Sequence, residues 1–450
     1  MPLKRLGRQL LGLVLAFLIM YGGMTPTIRD YFTLPRVQRF PTSTPINLKW
    51  DLPKFLAQQV DVEVITHHDV TNKKINTSIN DPGWLQLNLK LFGIIPLKNI
   101  MVQVVQPVSV VPGGQAIGVL LKTEGVQVIG QAAVIDSSGN KLFLARQAGL
   151  HVGDTIIAID GKKVTSDQDV ANLIDEAGHA NRKAKIRIKR QKQVFTLNIR
   201  PKYCHETGRY RIGVYVRDST AGVGTLTFID ENRGVFGALG HVVTNSDGRT
   251  AIDIDDGEIT AATIKGIHQG QRGRPGEKIG VFLENSKFSG IIKKNTNVGI
   301  FGTITGKPKG LINHPIDVAL AENVHPGPAE IMTVVDGEKV ERFKIEIEKV
   351  MPYQRLSGKG LVISITDPEL IRLTGGIVQG MSGSPIIQDG KLVGAVTHVF
   401  INDPTRGFGV LAEWMLEETE LVAKNIGGNT LNAPALHIFM SFNHVFKNIL

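Results

Sequence analysis

The sequence predicts a mainly β protein of several domains, and three observations lead to this prediction. Between residues 210 and 424, strand-forming runs recur with glycine or Asp-Gly turns between them. Between residues 108 and 202, similar runs accompany one amphipathic helix. A basic and then apolar segment opens the chain. Many short strands with few helices favour a β-barrel or sandwich over alternating βαβ units.

The composition is that of a basic, globular protein. The chain has 450 residues, of which 42% are hydrophobic and 20% charged, and this length suits about three domains. The net charge of +10 is spread over strand-like runs, so we expect no nucleic-acid binding. The single cysteine, Cys204, excludes a disulfide framework and cysteine-rich zinc modules. We expect no cofactor and no metal, because His67-His68-Asp69 is too sparse for a metal site.

The first segment indicates export. Lys4, Arg5 and Arg8 precede an uncharged apolar run, which at about fifteen residues is short for the roughly 17–25 that cross a bilayer. A cleaved signal peptide and an uncleaved anchor both fit this pattern. No Ala-x-Ala site follows directly, so we favour a signal anchor over residues 1–27. The chain that follows is then extracytoplasmic.

Composition shifts divide the rest of the chain into four parts. Residues 28–90 contain several prolines and little periodicity, which predicts a linker. Residues 91–203 form a small module of strands and one helix, and residues 204–426 form the β-rich region. Residues 427–450 are a tail with apolar residues at mixed spacing.

One run in the small module carries a recognisable pattern. Residues 148–164 read AGLHVGDTIIAIDGKKV, which predicts a turn, a strand and an Asp-Gly turn. Ser166 can cap a helix with apolar residues at helical spacing from Val170 to Ala177, and Gly178 ends it. The run resembles the PDZ domains of bacterial extracytoplasmic proteases.

The PDZ resemblance implies a peptide-binding site. In PDZ domains, backbone N–H groups before a strand hold the terminal carboxylate of a peptide that adds beside the helix. Carried onto this chain, that loop comprises Gly114, Ala116, Ile117 and Gly118. Alternatively, the glycines only make a tight turn.

The strongest catalytic pattern lies in the β-rich region. GMSGSP at residues 380–385 is followed by two apolar residues, an Asp-Gly turn and an apolar strand. It resembles the Gly-x-Ser-Gly-Gly-Pro motif of trypsin-like proteases, except that Ser384 replaces the last glycine. A nucleophilic serine needs a tight turn whose N–H groups point toward the developing oxyanion. We therefore predict that Ser382 is the nucleophile and that the N–H groups of Gly380 and Ser382 form the oxyanion hole.

The same resemblance implies a fold and a substrate site. It predicts a trypsin-like double β-barrel after the PDZ-like domain. An extended substrate would then pair with the strand segment Val396, Thr397 and His398.

A serine is a weak nucleophile and needs a base to take its proton. His241 follows the run FGALG and lies 382 − 241 = 141 residues before the serine. This order suits a peptidase with the histidine on the first barrel and the serine on the second. A lone histidine in apolar surroundings is more often a core residue, but the serine motif favours catalysis. His398 is the rival base, although it lies on the predicted substrate strand.

The residues alone do not identify the carboxylate that orients His241. Any buried carboxylate would serve, and the usual order in trypsin-like enzymes points to Asp253, Asp255 or Asp256.

A wider resemblance adds information. The PDZ-like module, GALGH ending at His241 and TGGIVQGMSGSP around Ser382 together resemble the stage IV sporulation protein B peptidases, over about residues 90–425. The resemblance implies that Asp367 is the acidic partner, although it lies only 382 − 367 = 15 residues before the serine. Alternatively, Asp367 caps the helix that Pro368 would open.

The family resemblance also implies a biological role. It implies a membrane-tethered serine endopeptidase that processes itself and cleaves the extracytoplasmic part of a membrane-bound regulator of an intramembrane metalloprotease. That cleavage triggers activation of a late mother-cell sigma factor during sporulation. The enzyme would be anchored to the forespore inner membrane and released into the intermembrane space after self-cleavage.

Two functions of other kinds also fit the sequence. The chain can be a non-catalytic PDZ-type scaffold with an inert barrel, or a general envelope quality-control serine protease. The apolar end of the tail, Ile449-Leu450, could occupy the PDZ groove, although an ordinary packed helix explains it as well.

Overall fold

The computed structural model describes residues 37–42, 60–65, 70–72, 82–92, 94–190, 193–244, 252, 254–283, 286–311 and 314–426. The chain divides into two units between Val108 and Ser109. Among the described residues, no helix is long and apolar enough to span a bilayer. The predicted anchor over residues 1–27 and the tail over residues 427–450 lie outside the described residues.

The first unit contains a five-stranded sheet. Its strands are β1 (Val37–Pro41), β2 (Val60–Ile65), β3 (Val70–Asn72), β4 (Gly83–Leu91) and β5 (Ile95–Val105). They lie in the order β1-β5-β4-β2-β3, and β1 runs parallel to β5. Leu85, Leu87 and Leu89 share the buried face of β4, as their alternation predicts.

These strands correct the linker prediction for residues 28–90. The described part of that segment is paired into a sheet through β5, which follows it in sequence. Prolines and weak periodicity describe only local preferences. They do not show a partner strand that lies further along the chain.

The second unit holds all the other elements. In chain order they are β6 (Ser109–Pro112), β7 (Ala116–Gln131), β8 (Val134–Ile135), β9 (Lys141–Leu142), α1 (Leu144–Gln147), β10 (Thr155–Ile159), β11 (Lys162–Lys163), α2 (Asp167–His179), β12 (Ala184–Arg190), β13 (Gln193–Ile199), β14 (Lys202–Cys204), β15 (Arg209–Arg211), β16 (Val214–Asp230), β17 (Val235–Ala238), β18 (Ile254–His268), β19 (Glu277–Phe282), β20 (Ser289–Thr296), β21 (Gly299–Thr305), β22 (Ile316–Asp317), β23 (Gly327–Val334), β24 (Val340–Val350), β25 (Leu361–Ile365), α3 (Pro368–Thr374), β26 (Pro385–Gln388), β27 (Lys391–Phe400), β28 (Asp403–Leu411) and α4 (Ala412–Ile426). Single 3-10 turns lie at Ala321–Asn323 and Arg355–Ser357.

Most of these strands form two six-stranded barrels. In the first barrel the order is β7-β18-β20-β21-β17-β16, and β16 pairs again with β7 to close it. In the second barrel the order is β23-β24-β25-β28-β27-β26, also closed. The hydrophobic core of the first barrel includes Ile117, Leu226, Phe236 and Ile259. The mainly β prediction and the double barrel are therefore confirmed.

A smaller module is formed around two strands that continue from the first barrel. The far ends of β7 and β16 continue beyond the barrel, where Gln131 pairs with Val214, and β7 also pairs with β10. Val126, Ile156 and Ile174 contribute to a separate core beneath α2. Ser166 caps α2 as predicted, forming a reciprocal capping box with Asp169.

The predicted border between the two domains, at residues 203 and 204, differs from the structure. β6 and the first half of β7 belong to the peptidase barrel, so the PDZ module is an insertion between β7 and β16 of that barrel. The continuous strand β7 supplies apolar side chains to both cores. No change of composition therefore marks the border.

The packing of α2 against β15 gives a prediction for Gly178. A Cβ atom on Gly178 would lie 2.1 Å from Cγ of Tyr210. Gly→Ala in a helix normally stabilises it by about 1 kcal/mol. We expect Gly178→Ala to lower the free energy of unfolding by about 1–3 kcal/mol instead, because Tyr210 must move. Urea denaturation measures this difference.

Tyr210→Gly supplies the matched background for that measurement, because both Cγ and Cβ of Tyr210 lie within 2.3 Å of the added methyl group. Without that side chain, Gly178→Ala should be neutral or stabilising. An equal loss of stability in both backgrounds would contradict the contact between Gly178 and Tyr210.

Candidate active site

Ser382 lies on a tight loop that leads into β26 of the second barrel. We call residues 379–384 the serine loop. Its glycines Gly380 and Gly383 have φ angles of 92° and 94°, in the region that favours glycine. A Cβ on Gly383 would lie 2.1 Å from the carbonyl oxygen of Thr225. The motif glycines therefore allow the loop to turn close to the first barrel.

Two threonines of β16 hold the serine loop across the barrel boundary. The N–H of Thr225 donates to the carbonyl of Ser382 at 2.9 Å. The hydroxyl of Thr225 donates to the carbonyl of Gly380 at 2.7 Å, and that of Thr227 to the carbonyl of Gly383 at 2.8 Å. Both threonines are fully buried. The first barrel therefore sets the conformation of the loop that carries the nucleophile.

A further hydrogen bond orients the predicted oxyanion hole. The N–H of Lys278, on β19, donates to the carbonyl of Gln379 at 2.9 Å. In a trans peptide the C=O and the next N–H point in opposite directions, so the N–H of Gly380 is turned away from Lys278. Among the described residues, the N–H groups of Gly380 and Ser382 donate to no main-chain carbonyl. Both donors therefore remain available to an oxyanion.

His241 follows β17 at the edge of the first barrel. The chain reaches it through Leu239 and Gly240, whose φ angles are 65° and 71°. A Cβ on Gly240 would lie 2.9 Å from Cγ2 of Thr397, so the turn approaches β27 of the second barrel closely. His241 and Ser382 line one pocket of about 250 Å³, as the predicted histidine–serine pair requires.

The two side chains are not hydrogen-bonded to each other in this structure. The hydroxyl of Ser382 donates to the carbonyl of Thr397 at 2.7 Å. Nδ1 of His241 lies 2.8 Å from the carbonyl of Val242. A carbonyl can only accept, so Nδ1 carries the proton and Nε2 keeps the lone pair that a general base needs. The hydroxyl of Ser382 must rotate before catalysis.

Burial also favours the neutral ring that a base requires. Loss of solvent lowers the pKa of His241 below its usual 6.5, and the hydrogen bond to the carbonyl of Val242 opposes this only partly. Since the pKa is lowered, the imidazole is unprotonated at neutral pH.

The structure does not support Asp367 as the carboxylate that orients His241. Its side chain accepts from the N–H groups of Glu369 at 3.0 Å, Leu370 at 3.2 Å and Lys344 at 3.2 Å, and caps α3. Among the described residues, no carboxylate hydrogen-bonds to His241. The capping interpretation is confirmed for this conformation.

Three other aspartates were candidates for the carboxylate that orients His241. The side chains of Asp253 and Asp255 lie outside the described residues, and Asp256 is exposed on β18. In the described part of the site, the carbonyl of Val242 fixes the tautomer of His241.

The predicted substrate strand passes beside Ser382. Val396, Thr397 and His398 lie on β27, and the N–H of Gly383 donates to the carbonyl of Val396 at 2.8 Å. The His398 ring lies 5.0 Å from the His241 ring, between centroids. Loss of solvent around the ring, then the positive charges of His241 and Lys359, lower the pKa of His398 to about 4. Its role stays a prediction.

The predicted PDZ peptide loop is wrong. Ile117 and its neighbours lie in β7 of the first barrel, where β16 and β18 pair with both edges of the strand, so no edge is open to a peptide. A Cβ on Gly114 would contact Met332 and Val340. This correction applies to all four residues that the sequence assigned to the peptide-binding loop, Gly114, Ala116, Ile117 and Gly118.

Gln127, where β7 runs through the PDZ module, is also paired on both sides. β10 pairs with Val126 and Gln127, and residues 214–217 of β16 pair with the opposite edge.

Sequence reasoning missed Thr225, Thr227 and Lys278. In the run GTLTF of β16, two threonines alternate with Leu226 and Phe228, and both faces of this segment are buried. Polar residues on a strand whose other face is apolar usually face water. Only the neighbouring barrel shows that these threonines are enclosed.

The chain is similar to known proteins in sequence and in fold. Residues 208–416 match the family model of the SpoIVB peptidase S55, and residues 143–190 match that of a PDZ domain. A search of curated proteins found no match.

The chain is also similar to solved structures. The Rv3671c protease of M. tuberculosis, active form, is 15% identical, with 48% of this chain and 77% of that chain covered and a TM-score of 0.27. A serine endoprotease of Yersinia pestis is 13% identical over 45% and 58%, with a TM-score of 0.26. The PDZ domain of the SdrC-like protein of Listeria monocytogenes is 25% identical over 21% and 87%, with a TM-score of 0.17.

Two barrels that bring a histidine and a motif serine into one pocket, together with the S55 match, define a serine endopeptidase that carries a PDZ domain. The match of residues 208–416 to the SpoIVB peptidase S55 model confirms the resemblance seen in the sequence.

The lowered pKa of His241 predicts the acid side of the pH profile. The base acts only when neutral, and a lowered pKa keeps it neutral to lower pH. We therefore expect kcat/KM to fall in acid with a midpoint below 6.5. Initial rates on a peptide ester between pH 4 and 8 measure this midpoint, and a value above about 6.5 would contradict the buried neutral ring.

The capping role of Asp367 predicts the stability of two variants. Asparagine caps helices as well as aspartate does, whereas alanine does not. We expect Asp367→Asn to leave the melting temperature nearly unchanged and Asp367→Ala to cost about 1 kcal/mol. Calorimetry compares them, and equal losses would contradict capping. A loss of kcat of about 10⁴ in a fully stable Asp367→Asn would instead assign this carboxylate to His241 in another conformation.

Proposed function

We propose that this serine endopeptidase is membrane-tethered, processes itself and cleaves the extracytoplasmic part of a membrane-bound regulator of an intramembrane metalloprotease. In this proposal the cleavage triggers activation of a late mother-cell sigma factor during sporulation. The match of residues 208–416 to the SpoIVB peptidase model supports this role.

The observation that carries the proposal is the resting arrangement of the catalytic pair. His241 and Ser382 share a pocket, but the Ser382 hydroxyl is bonded to the carbonyl of Thr397. A single hydrogen bond is worth about 1 kcal/mol, so the hydroxyl can rotate toward His241 at little cost and the pair can act as nucleophile and base.

The geometry supports acyl transfer through a covalent intermediate. Once rotated, the Ser382 hydroxyl gives its proton to Nε2 of His241, and its oxygen attacks the peptide carbonyl. The N–H groups of Gly380 and Ser382 stabilise the oxyanion. His241 then protonates the leaving amine, and water hydrolyses the acyl-enzyme. The carbonyl of Val242 accepts from Nδ1–H throughout and supports the imidazolium ion.

The proposed location follows from the first segment. Residues 1–27 would anchor the protein to the forespore inner membrane, with the folded units outside the cytoplasm. Self-cleavage within residues 28–90 would release both catalytic barrels into the intermembrane space, because the barrels begin beyond Val108.

Expression of the full chain with matched serine variants tests the proposal. Wild type and Ser357→Ala, an exposed serine that does not line the pocket, should react with a serine-directed fluorophosphonate and process themselves. Ser382→Ala should do neither. N-terminal sequencing of the fragments then locates the self-cleavage site.

Two outcomes would overturn the proposal. Folded wild-type protein that neither labels nor processes itself would favour the PDZ-type scaffold. Rapid, unselective digestion of casein would favour a general envelope quality-control protease.

A further inference from the structure

A buried lysine lies directly beneath the serine loop. Lys278 of β19 is 5% exposed. Its Nζ donates to the hydroxyl oxygen of Thr333 on β23 at 2.7 Å, and the hydroxyl of Ser384 donates to the same oxygen at 3.0 Å. Thr333 and Ser384 are fully buried. A hydrogen-bonded chain therefore links β19, which pairs with β18 of the first barrel, to the second barrel and to the serine loop.

The same lysine contacts the peptide group that supplies the first oxyanion donor. Its N–H donates to the carbonyl of Gln379. A Cβ on Gly380 would lie 3.1–3.3 Å from Cβ, Cγ and Cδ of Lys278. Lys278 therefore holds the 379–380 peptide by its main chain and packs against it with its side chain.

No anion balances this lysine within the described part of the chain. Its neighbours Glu277 and His268 are exposed and pair with each other at 3.2 Å. The side chain that it binds on β23, that of Thr333, is neutral, and so is that of Ser384, which donates to the same oxygen. Burial alone lowers the pKa of Lys278 to about 7.

A buried lysine without an anion destabilises the resting protein, and its position against the serine loop points to a role in the reaction. During acyl transfer a negative charge appears on the oxygen that faces the N–H groups of Gly380 and Ser382. An ammonium ion behind the loop attracts this charge in a medium of low dielectric constant.

We propose that Lys278 is a positioning residue of the peptidase reaction, which orients the 379–380 peptide and, when protonated, stabilises the oxyanion that forms on the serine loop. The proposal rests on the assignment of Gly380 and Ser382 as oxyanion donors. It does not depend on the signalling role, so any activated ester that acylates Ser382 can test it.

The experiment compares kcat/KM between pH 5.5 and 9.5 for wild type, Lys278→Met and Lys265→Met. Lys265 is an exposed lysine of β18, in the same hairpin, and its variant controls for the loss of one charge. Wild type and Lys265→Met should lose activity on the alkaline side with a midpoint near 7. Lys278→Met should be slower at pH 6 by about tenfold to a hundredfold and should show no alkaline loss.

A purely structural role gives a different result. Lys278→Met would then lower the rate equally at every pH and keep the alkaline limb, and this outcome would overturn the proposal. A wild-type rate that is flat between pH 6 and 9 would do so as well.

A second variant keeps the test valid if Lys278→Met does not fold. Thr333→Val removes the acceptor of the ammonium group at nearly constant volume. Because this acceptor favours the charged form, its loss should move the alkaline midpoint of kcat/KM to lower pH. An unchanged or higher midpoint would contradict the proposal.

Discussion

Hydrogen bonds from one strand hold the catalytic loop in place. β16 of the first barrel donates from Thr225 and Thr227 to three carbonyls of the serine loop, which belongs to the second barrel. A further bond, from the N–H of Lys278 on β19 to the carbonyl of Gln379, turns the N–H of Gly380 away from Lys278. The oxyanion hole therefore depends on contact between the barrels, and neither barrel contains it alone.

Strand β16 also joins the PDZ module to the peptidase, so the two cannot be separated by cutting the chain at one position. β16 runs from Val214, which packs against the PDZ core, to Asp230 in the first barrel. β7 spans the same two cores in the opposite direction. Deleting the module would cut both strands where they leave the barrel that holds the serine loop. The insertion is thus a structural part of the peptidase.

The sequence predicted the parts of the protein that local patterns encode. The serine motif needs its glycines because the loop has positive φ angles at those positions. Helix α2 begins at a capping box formed within four residues. His241 could be found because a motif serine requires a base. Strand-rich composition was enough to predict barrels.

The remaining features depend on contacts between distant segments. The insertion of the PDZ module follows from the pairing of β7 with β16, which no local signal marks. Asp367 has the residue type of a triad acid, but three backbone N–H groups already bind its carboxylate. Lys278 resembles any lysine of an alternating strand until the second barrel covers it.

The central claim is that His241 activates Ser382 in the pocket between the barrels. The most direct measurement is a crystal structure of the enzyme after reaction with a peptidyl phosphonate. The account predicts a phosphorus bond to Oγ of Ser382, a phosphonyl oxygen on the N–H groups of Gly380 and Ser382, and Nε2 of His241 at about 3 Å from Oγ. A phosphonate on another residue, or a His241 ring that remains out of reach of the adduct, would contradict it.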